Sequence, residues 1–212
     1  ETYNKLKDPI FFINEIIGFE REPFRLTAYQ EEWIKLLSTY DRLNIAAFRS
    51  SGKTATLLED YPIFKSFTQT GWQGIITSNS QKQSISILRN IREKILGNEV
   101  LRTSVPSGKQ GLWSKTELQL KNGSIIWSKV RNENLPGEHV DYIGNDETGY
   151  EKDMDVVTKI IPPMVVAKKG IIVWIGTTVS KIDVIHQLKK NPSYLTKWYP
   201  ANLKYEGKTL WE

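Results

Sequence analysis

Apolar residues along this chain fall into short unbroken runs and into one-sided helical spacings, separated by polar punctuation. Ile45 to Phe48, Gly74 to Thr77, Val140 to Ile143 and Ile171 to Ile175 read as buried strands, since apolar residues follow one another with little polar alternation. Gly144-Asn145 is expected to break the third of these early. Asp8-Pro9 predicts an N-cap with proline in the first turn of a helix through Phe11, Phe12, Ile13, Ile16 and Ile17, stopping near Gly18. Thr27 predicts the cap of a second helix through Trp33, Ile34, Leu36 and Leu37. Ile85, Leu88, Ile91, Ile95 and Leu96 mark one face of a helix over Gln81–Leu96. Asn122-Gly123, between Thr116–Leu120 and Ser124–Lys129, predicts a hairpin. Ile182 to Lys190 reads as a last helix ended by Asn191-Pro192, and no period is evident from Tyr194 onward. Apolar strands separated by helices predict an α/β fold with a mainly parallel central sheet flanked by helices, plus a β-hairpin.

Ligands on such sheets sit at the carboxyl ends of strands. Three polar clusters follow apolar runs at once: Gly52-Lys53-Thr54, Asp146-Glu147 and, after Gly176, Thr177-Thr178. They are expected to form one site. The first has the plan of a phosphate cradle, in which the backbone N–H groups of Ser50, Ser51, Gly52 and the following helix start face an anion. Lys53 is then placed for the outer phosphates and the Thr54 hydroxyl for Mg²⁺, so the expected ligand is a nucleoside triphosphate. The general pattern G-x-x-x-x-G-K-[ST] is not fully met, because Ala47 stands where it wants the first glycine.

The other residues carry two readings each. Arg49 either is simply solvated or braces the loop through a carboxylate, or it offsets charge on the γ-phosphate as it is transferred. Asp146 is suited to hold Mg²⁺, and Glu147 to orient and deprotonate the attacking water. Gln30 either closes a capping box with Thr27 or reads an adenine edge with its amide. Thr177 and Thr178 can sense the γ-phosphate through their hydroxyls, or be ordinary polar residues at a strand end. Glu151, Asp153 and Asp155 read as a solvated loop. His139 and His186 have no metal-ligand spacing and read as structural or solvated.

Composition narrows the setting. At 212 residues with seven Trp, the chain is long enough for one domain with a sizeable core. It has no Cys, which excludes disulfides and thiolate metal sites and fits a reducing compartment. No long uncharged apolar run predicts a membrane span, and the first residues do not read as a signal peptide. Net charge is +5, and it is unevenly spread. Lys82 to Arg131 holds ten Lys/Arg and three Asp/Glu, whereas Asn132 to Ile160 holds eight Asp/Glu and two Lys. A basic block beside an acidic block suits a protein that holds a polyanion and, separately, a metal; two solvated faces is the alternative.

Taken in order, these segments resemble the ATPase domain of the large terminase subunit, the DNA-packaging motor of tailed bacteriophages. DPIFFINEIIGFE and LTAYQEEW look like the family's N-terminal helix and adenine motif. FRSSGKT looks like its altered phosphate loop, where Arg opens the loop and the first glycine is missing. TSNSQKQSISILRNI, the KNGSIIW hairpin and NLPGEHVDYIGNDETGY look like the path to the Mg²⁺ carboxylate and catalytic Glu, and IIVWIGTT like the coupling motif. GKTLWE looks like the segment that closes the domain. Asn145 departs from the hydrophobic residue usual before the acidic pair.

The resemblance implies a P-loop NTPase fold of the ASCE type over residues 1–212. It implies ATP and Mg²⁺ as ligands, with Arg49, Lys53 and Glu147 catalytic, Thr54 and Asp146 on the metal, Gln30 on adenine, and Thr177-Thr178 coupling hydrolysis to movement. It implies double-stranded DNA, a portal protein and a small terminase subunit as partners, a ring of copies on the portal, and a place at the viral procapsid in the host cytoplasm, away from membranes. The family's RNase H-type nuclease domain is expected to be absent from this chain, and no DNA cleavage is expected from it. A helicase-like translocase or a nucleotide-independent basic DNA-binding module would be the alternatives, with a small-molecule phosphotransferase behind them.

Overall fold

A computed structural model describes residues 5–18, 25–107, 113–132, 135, 137–150, 154–179, 182–201, 204–205 and 208–209. Helix α1 starts at Pro9–Phe11 and continues with π-type bonding through Phe12–Ile17. Its N-cap is Asp8, whose Oδ1 accepts the Ile10 and Phe11 N–H groups at 2.8 and 3.1 Å, satisfying donors that have no partner inside the helix. Helix α2 (Ala28–Leu37) follows, then strand β1 (Arg42–Ala47). Helix α3 runs from Thr54–Asp60 in π-type geometry into Tyr61–Thr68, and strand β2 is Gln73–Ser78. Helix α4 covers Gln81–Leu96, as the spacing predicts.

The hairpin forms from β3 (Glu117–Gln119) and β4 (Ile125–Val130), with Gly123 at φ 81 in its turn. Strand β5 (Tyr142–Asn145), helix α5 (Val156–Ile160 continuing through Ile161–Val166), β6 (Ile171–Gly176), α6 (Val184–Lys189) and β7 (Leu195–Tyr199) complete the main body. Strands β8 (Lys204–Tyr205) and β9 (Lys208–Thr209) pair separately.

The main sheet has the order β3-β4-β2-β5-β6-β1-β7, and every neighbouring pair is parallel except β3–β4. Strand side chains alternate between its two faces. Leu43, Ile45, Ile76, Val173 and Ile175 pack under α1 to α4. Ile75, Ile143, Ile172 and Trp174 pack against α5 and α6. Both faces are thus buried, which is why the strands read as continuous apolar runs. Among the described residues no helix is long and apolar enough to cross a membrane.

One expectation fails here. Gly144-Asn145 does not break β5 but completes it, pairing with Val173 and Trp174. Asn145 tolerates full burial because its Oδ1 accepts the Thr77 hydroxyl at 2.7 Å and its Nδ2 donates to the Val173 carbonyl at 3.1 Å. Gly144 is a packing glycine: a Cβ there would lie 2.3 Å from Leu58 Cδ2. The segment after Tyr194, without period in sequence, supplies edge strand β7, paired with β1.

Helix α3 is fastened to α4 by a buried ion triad. Lys94 Nζ lies 2.8 Å from Glu59 Oε2 and also bonds Asp60 Oδ1, and Asn90 Nδ2 donates to the other Glu59 oxygen at 2.9 Å. Breaking a buried pair leaves an uncompensated charge, typically at about 3–5 kcal/mol. Lys94→Met is expected to destabilise the protein by about that amount in urea denaturation, and a loss below about 1 kcal/mol would contradict this view of the triad.

Candidate nucleotide site

The loop from Phe48 to Lys53 joins β1 to α3 at the carboxyl edge of the sheet. Ser50 and Gly52 both take left-handed backbone, at φ 66 and φ 78. Left-handed residues interspersed in a turn bring successive N–H groups onto one concave side, which makes an anion nest. Lys53 Nζ donates to the Phe48 carbonyl at 3.2 Å, so the ammonium folds over the mouth of the loop.

β1 and β5 are not neighbours, since β6 lies between them. Their ends still meet. Thr54 Oγ1 lies 3.3 Å from Asp146 Oδ2 and 3.5 Å from Oδ1. Arg49, Lys53, Thr54, Asp146, Glu147, Thr177 and Thr178 all line one cavity of ≈ 510 Å³. The three predicted clusters therefore share a site. Thr177 also joins β6 to the base of the loop, its hydroxyl donating to the Ala47 carbonyl at 3.2 Å.

Other predicted residues stand behind the wall. Ser51 is buried. Gln30 is buried as well, and both ends of its amide are engaged within the protein: Oε1 accepts the Thr27 N–H at 2.9 Å and Nε2 donates to the Ser51 carbonyl at 2.9 Å. His139 is exposed, and His186 Nδ1 lies 2.8 Å from Asp183 Oδ1. Asp155 pairs with Lys159 in solvent. Glu151 and Asp153, like most of GKTLWE, lie outside the described residues.

Three residues that the sequence reading passed over shape the acidic turn. Gln83, near the start of α4, donates from Nε2 to Asp146 Oδ2 at 3.3 Å and lines the cavity. Arg131, counted above only as part of the basic block, is buried, rests 5.5 Å from the Trp174 ring, and donates to the Asp146 carbonyl at 3.0 Å and to Asn79 Oδ1. Asn79 in turn donates to the Glu147 carbonyl at 3.4 Å. Glu147 itself sits at φ 53, a conformation that a non-glycine residue keeps only where its surroundings over-determine it. Position in a strand–helix junction could have flagged Gln83 and Asn79, but nothing local marks Arg131 as buried.

Burial holds the Asp146 carboxyl above its usual 3.8; the Glu147 charge adds to this, while the Glu147 N–H, Lys53 and Thr54 oppose it. Burial likewise lowers the Lys53 ammonium, with Asp146 opposing and Arg49 reinforcing the shift. A carboxylate and an ammonium kept in a dry wall are both favoured by a ligand of opposite charge. The oxygen donors Thr54 Oγ1 and Asp146 suit Mg²⁺, which takes few protein carboxylates and keeps much of its water. Among the described residues no group of three or more His, Cys, Asp or Glu forms a different metal site.

No family model and no curated protein matches this sequence. Solved structures match its fold. The crystal structure of the HK97 bacteriophage large terminase aligns over 95% of this chain and 45% of its own, at TM-score 0.72 and 17% identity. A mutant of the large terminase ATPase domain from Thermus phage P74-26 aligns over 95% of this chain and 86% of its own, at TM-score 0.67 and 19% identity. The large terminase of a thermophilic bacteriophage, in complex with ADP, aligns over 87% of this chain and 44% of its own, at TM-score 0.55 and 11% identity. This chain therefore has the fold of phage large terminase ATPase domains, a P-loop NTPase fold built on a mostly parallel sheet. It spans less than half the length of the HK97 protein.

A carboxyl whose folded-state value is raised favours the folded state most at pH below its usual value, and that contribution is lost as pH rises through the raised one. Asp146→Asn removes the penalty. The variant is expected to melt above the wild type at pH 7 without ligand, with the gap narrowing as pH falls toward 4. An equal or lower melting temperature at pH 7 would contradict the burial argument.

Proposed function

We propose that this chain is a Mg²⁺-dependent ATPase whose hydrolysis drives double-stranded viral DNA through a portal into an empty capsid shell. The observation that carries the reading is the Thr54–Asp146 contact at 3.3 Å inside a cavity that Lys53 and Glu147 also line, on a fold similar to phage large terminase ATPase domains. One of those similar structures, from a thermophilic phage, is a complex with ADP, which supports nucleotide as the ligand.

In this reading the loop N–H groups and Lys53 bind the β- and γ-phosphates and draw charge from them. Magnesium, when bound at Thr54 and Asp146, would neutralise charge on the phosphate oxygens. Glu147 orients a water toward the γ-phosphate and accepts its proton. Arg49, exposed at the cavity rim, offsets charge as the bond to the leaving phosphate breaks. Thr177 and Thr178 carry loss of the γ-phosphate into movement of β6 against the loop, a local charge change biasing a two-state element.

DNA is assigned to the basic block, whose charge is smaller than the sequence count implies. Lys94 and Arg131 are buried and spent on internal contacts. Lys82, Arg89, Arg102, Lys115 and Lys121 are exposed. A portal protein, a small terminase subunit and further copies of this chain in a ring would complete the assembly, at the procapsid in the host cytoplasm.

Glu147→Gln is expected to lower turnover by roughly 10²–10⁴ with nucleotide binding kept. Equal ATPase rates in the variant and wild type would refute its role as base. Lys53→Ala is expected to abolish the rise in melting temperature that Mg·ATP brings, and an unchanged shift would refute the cradle. DNA affinity should fall steeply between 50 and 200 mM salt, on the order of 10²-fold or more for several phosphate contacts, whereas a flat response would remove the basic face from the account.

A further inference from the structure

Gln30 is drawn into the phosphate loop. It is only 8% exposed and does not line the cavity. The amide oxygen holds the helix cap through the Thr27 N–H, and the amide nitrogen holds the Ser51 carbonyl, each at 2.9 Å. The Tyr29 hydroxyl donates to the same carbonyl at 3.3 Å. Gly52, at φ 78, comes so close that a Cβ on it would lie 2.4 Å from Gln30 Nε2. The loop and the amide are in contact, with no room for a ligand between them.

The consequence follows from peptide geometry. The Ser51 carbonyl and the Gly52 N–H belong to one planar trans unit, so they point in opposite directions. Two donors from α2 fix that carbonyl toward the helix. The Gly52 N–H is thereby turned away from the helix, toward the concave side of the loop where an anion would sit.

We propose that Gln30 is a positioning residue of the phosphate loop, aiming the Gly52 N–H by holding the Ser51 carbonyl. The assignment rests on the ATPase reading above. It separates two contributions that a nucleotide alone confounds, because a base-free triphosphate needs the loop and not the base site.

The test is competition of magnesium tripolyphosphate, ATP and GTP against a fluorescent nucleotide, on wild type and Gln30→Met. The ligand-free melting temperature of each protein monitors folding. Losing one net hydrogen bond to the loop should weaken tripolyphosphate, and ATP and GTP with it, by at least about 2–10-fold. Tyr29→Phe removes the second donor to Ser51 while leaving the Gln30 amide in place, and should weaken tripolyphosphate by about 2-fold in the same sense; it decides the matter if Gln30→Met fails to fold. Unchanged tripolyphosphate affinity, or a loss confined to ATP, would overturn the positioning role while the ATPase reading stands. Wild-type protein that binds neither ATP nor tripolyphosphate would overturn both.

Discussion

The contact on which the site depends is the approach of the Thr54 hydroxyl to the Asp146 carboxylate. The strands that lead to these residues are separated by β6, so their axes stand roughly 10 Å apart at the usual strand spacing. On the proposed reading, direct neighbours would crowd the space for a metal and a phosphate chain, and more distant strands would leave it unbridged. One intervening strand, ending in Gly176, gives the required gap. Gly176 cannot be larger: a Cβ there would lie 2.7 Å from Thr148 Oγ1, in the turn that follows the acidic pair. Thr148 also donates to the Ile175 carbonyl at 3.0 Å, which pins that turn to β6.

Around this contact the protein holds electrostatic features that the empty fold would not favour by itself. Asp146 and Lys53 are each pushed toward neutrality by burial, Glu147 and Ser50 keep left-handed backbone, and a carbonyl is turned inward to aim an N–H outward. Such departures persist where surrounding structure over-determines them, and a binding site is where they do useful work. The over-determination is visible in named bonds. Arg131 and Asn79 hold the acidic turn from the β2–β4 side, and Gln30 and Tyr29 hold the phosphate loop from α2. The Lys94 triad locks α3 to α4, the helices that bring Thr54 and Gln83 to the cavity.

Much of this was legible in the residues because the signals were local. Asp8-Pro9 capped α1, the Ile85–Leu96 spacing marked α4, and Asn122-Gly123 turned the hairpin. The cluster of strand ends was legible too, since parallel topology confines ligand-facing loops to one edge. What escaped was set by tertiary contact. Asn145 looked like a strand breaker, but its amide finds partners on two neighbouring strands. Helix α5 was hidden by Pro162-Pro163, which lie within it, where the π-type stretch Val156–Ile160 passes into Ile161–Val166. Strand β7 had no pattern of its own and exists because β1 offers an edge. Arg131 and Lys94 looked like surface charge, and only packing shows them to be internal braces.

The central claim is that Lys53, Thr54 and Asp146 converge on a single magnesium–triphosphate. Its most direct test is titration of a non-hydrolysable ATP analogue into the wild type and Asp146→Asn, each with and without Mg²⁺. The account predicts that Mg²⁺ tightens binding to the wild type and that this gain shrinks markedly in the variant. The same gain in both proteins would mean that Asp146 does not share a metal with the phosphate loop, and would contradict the account.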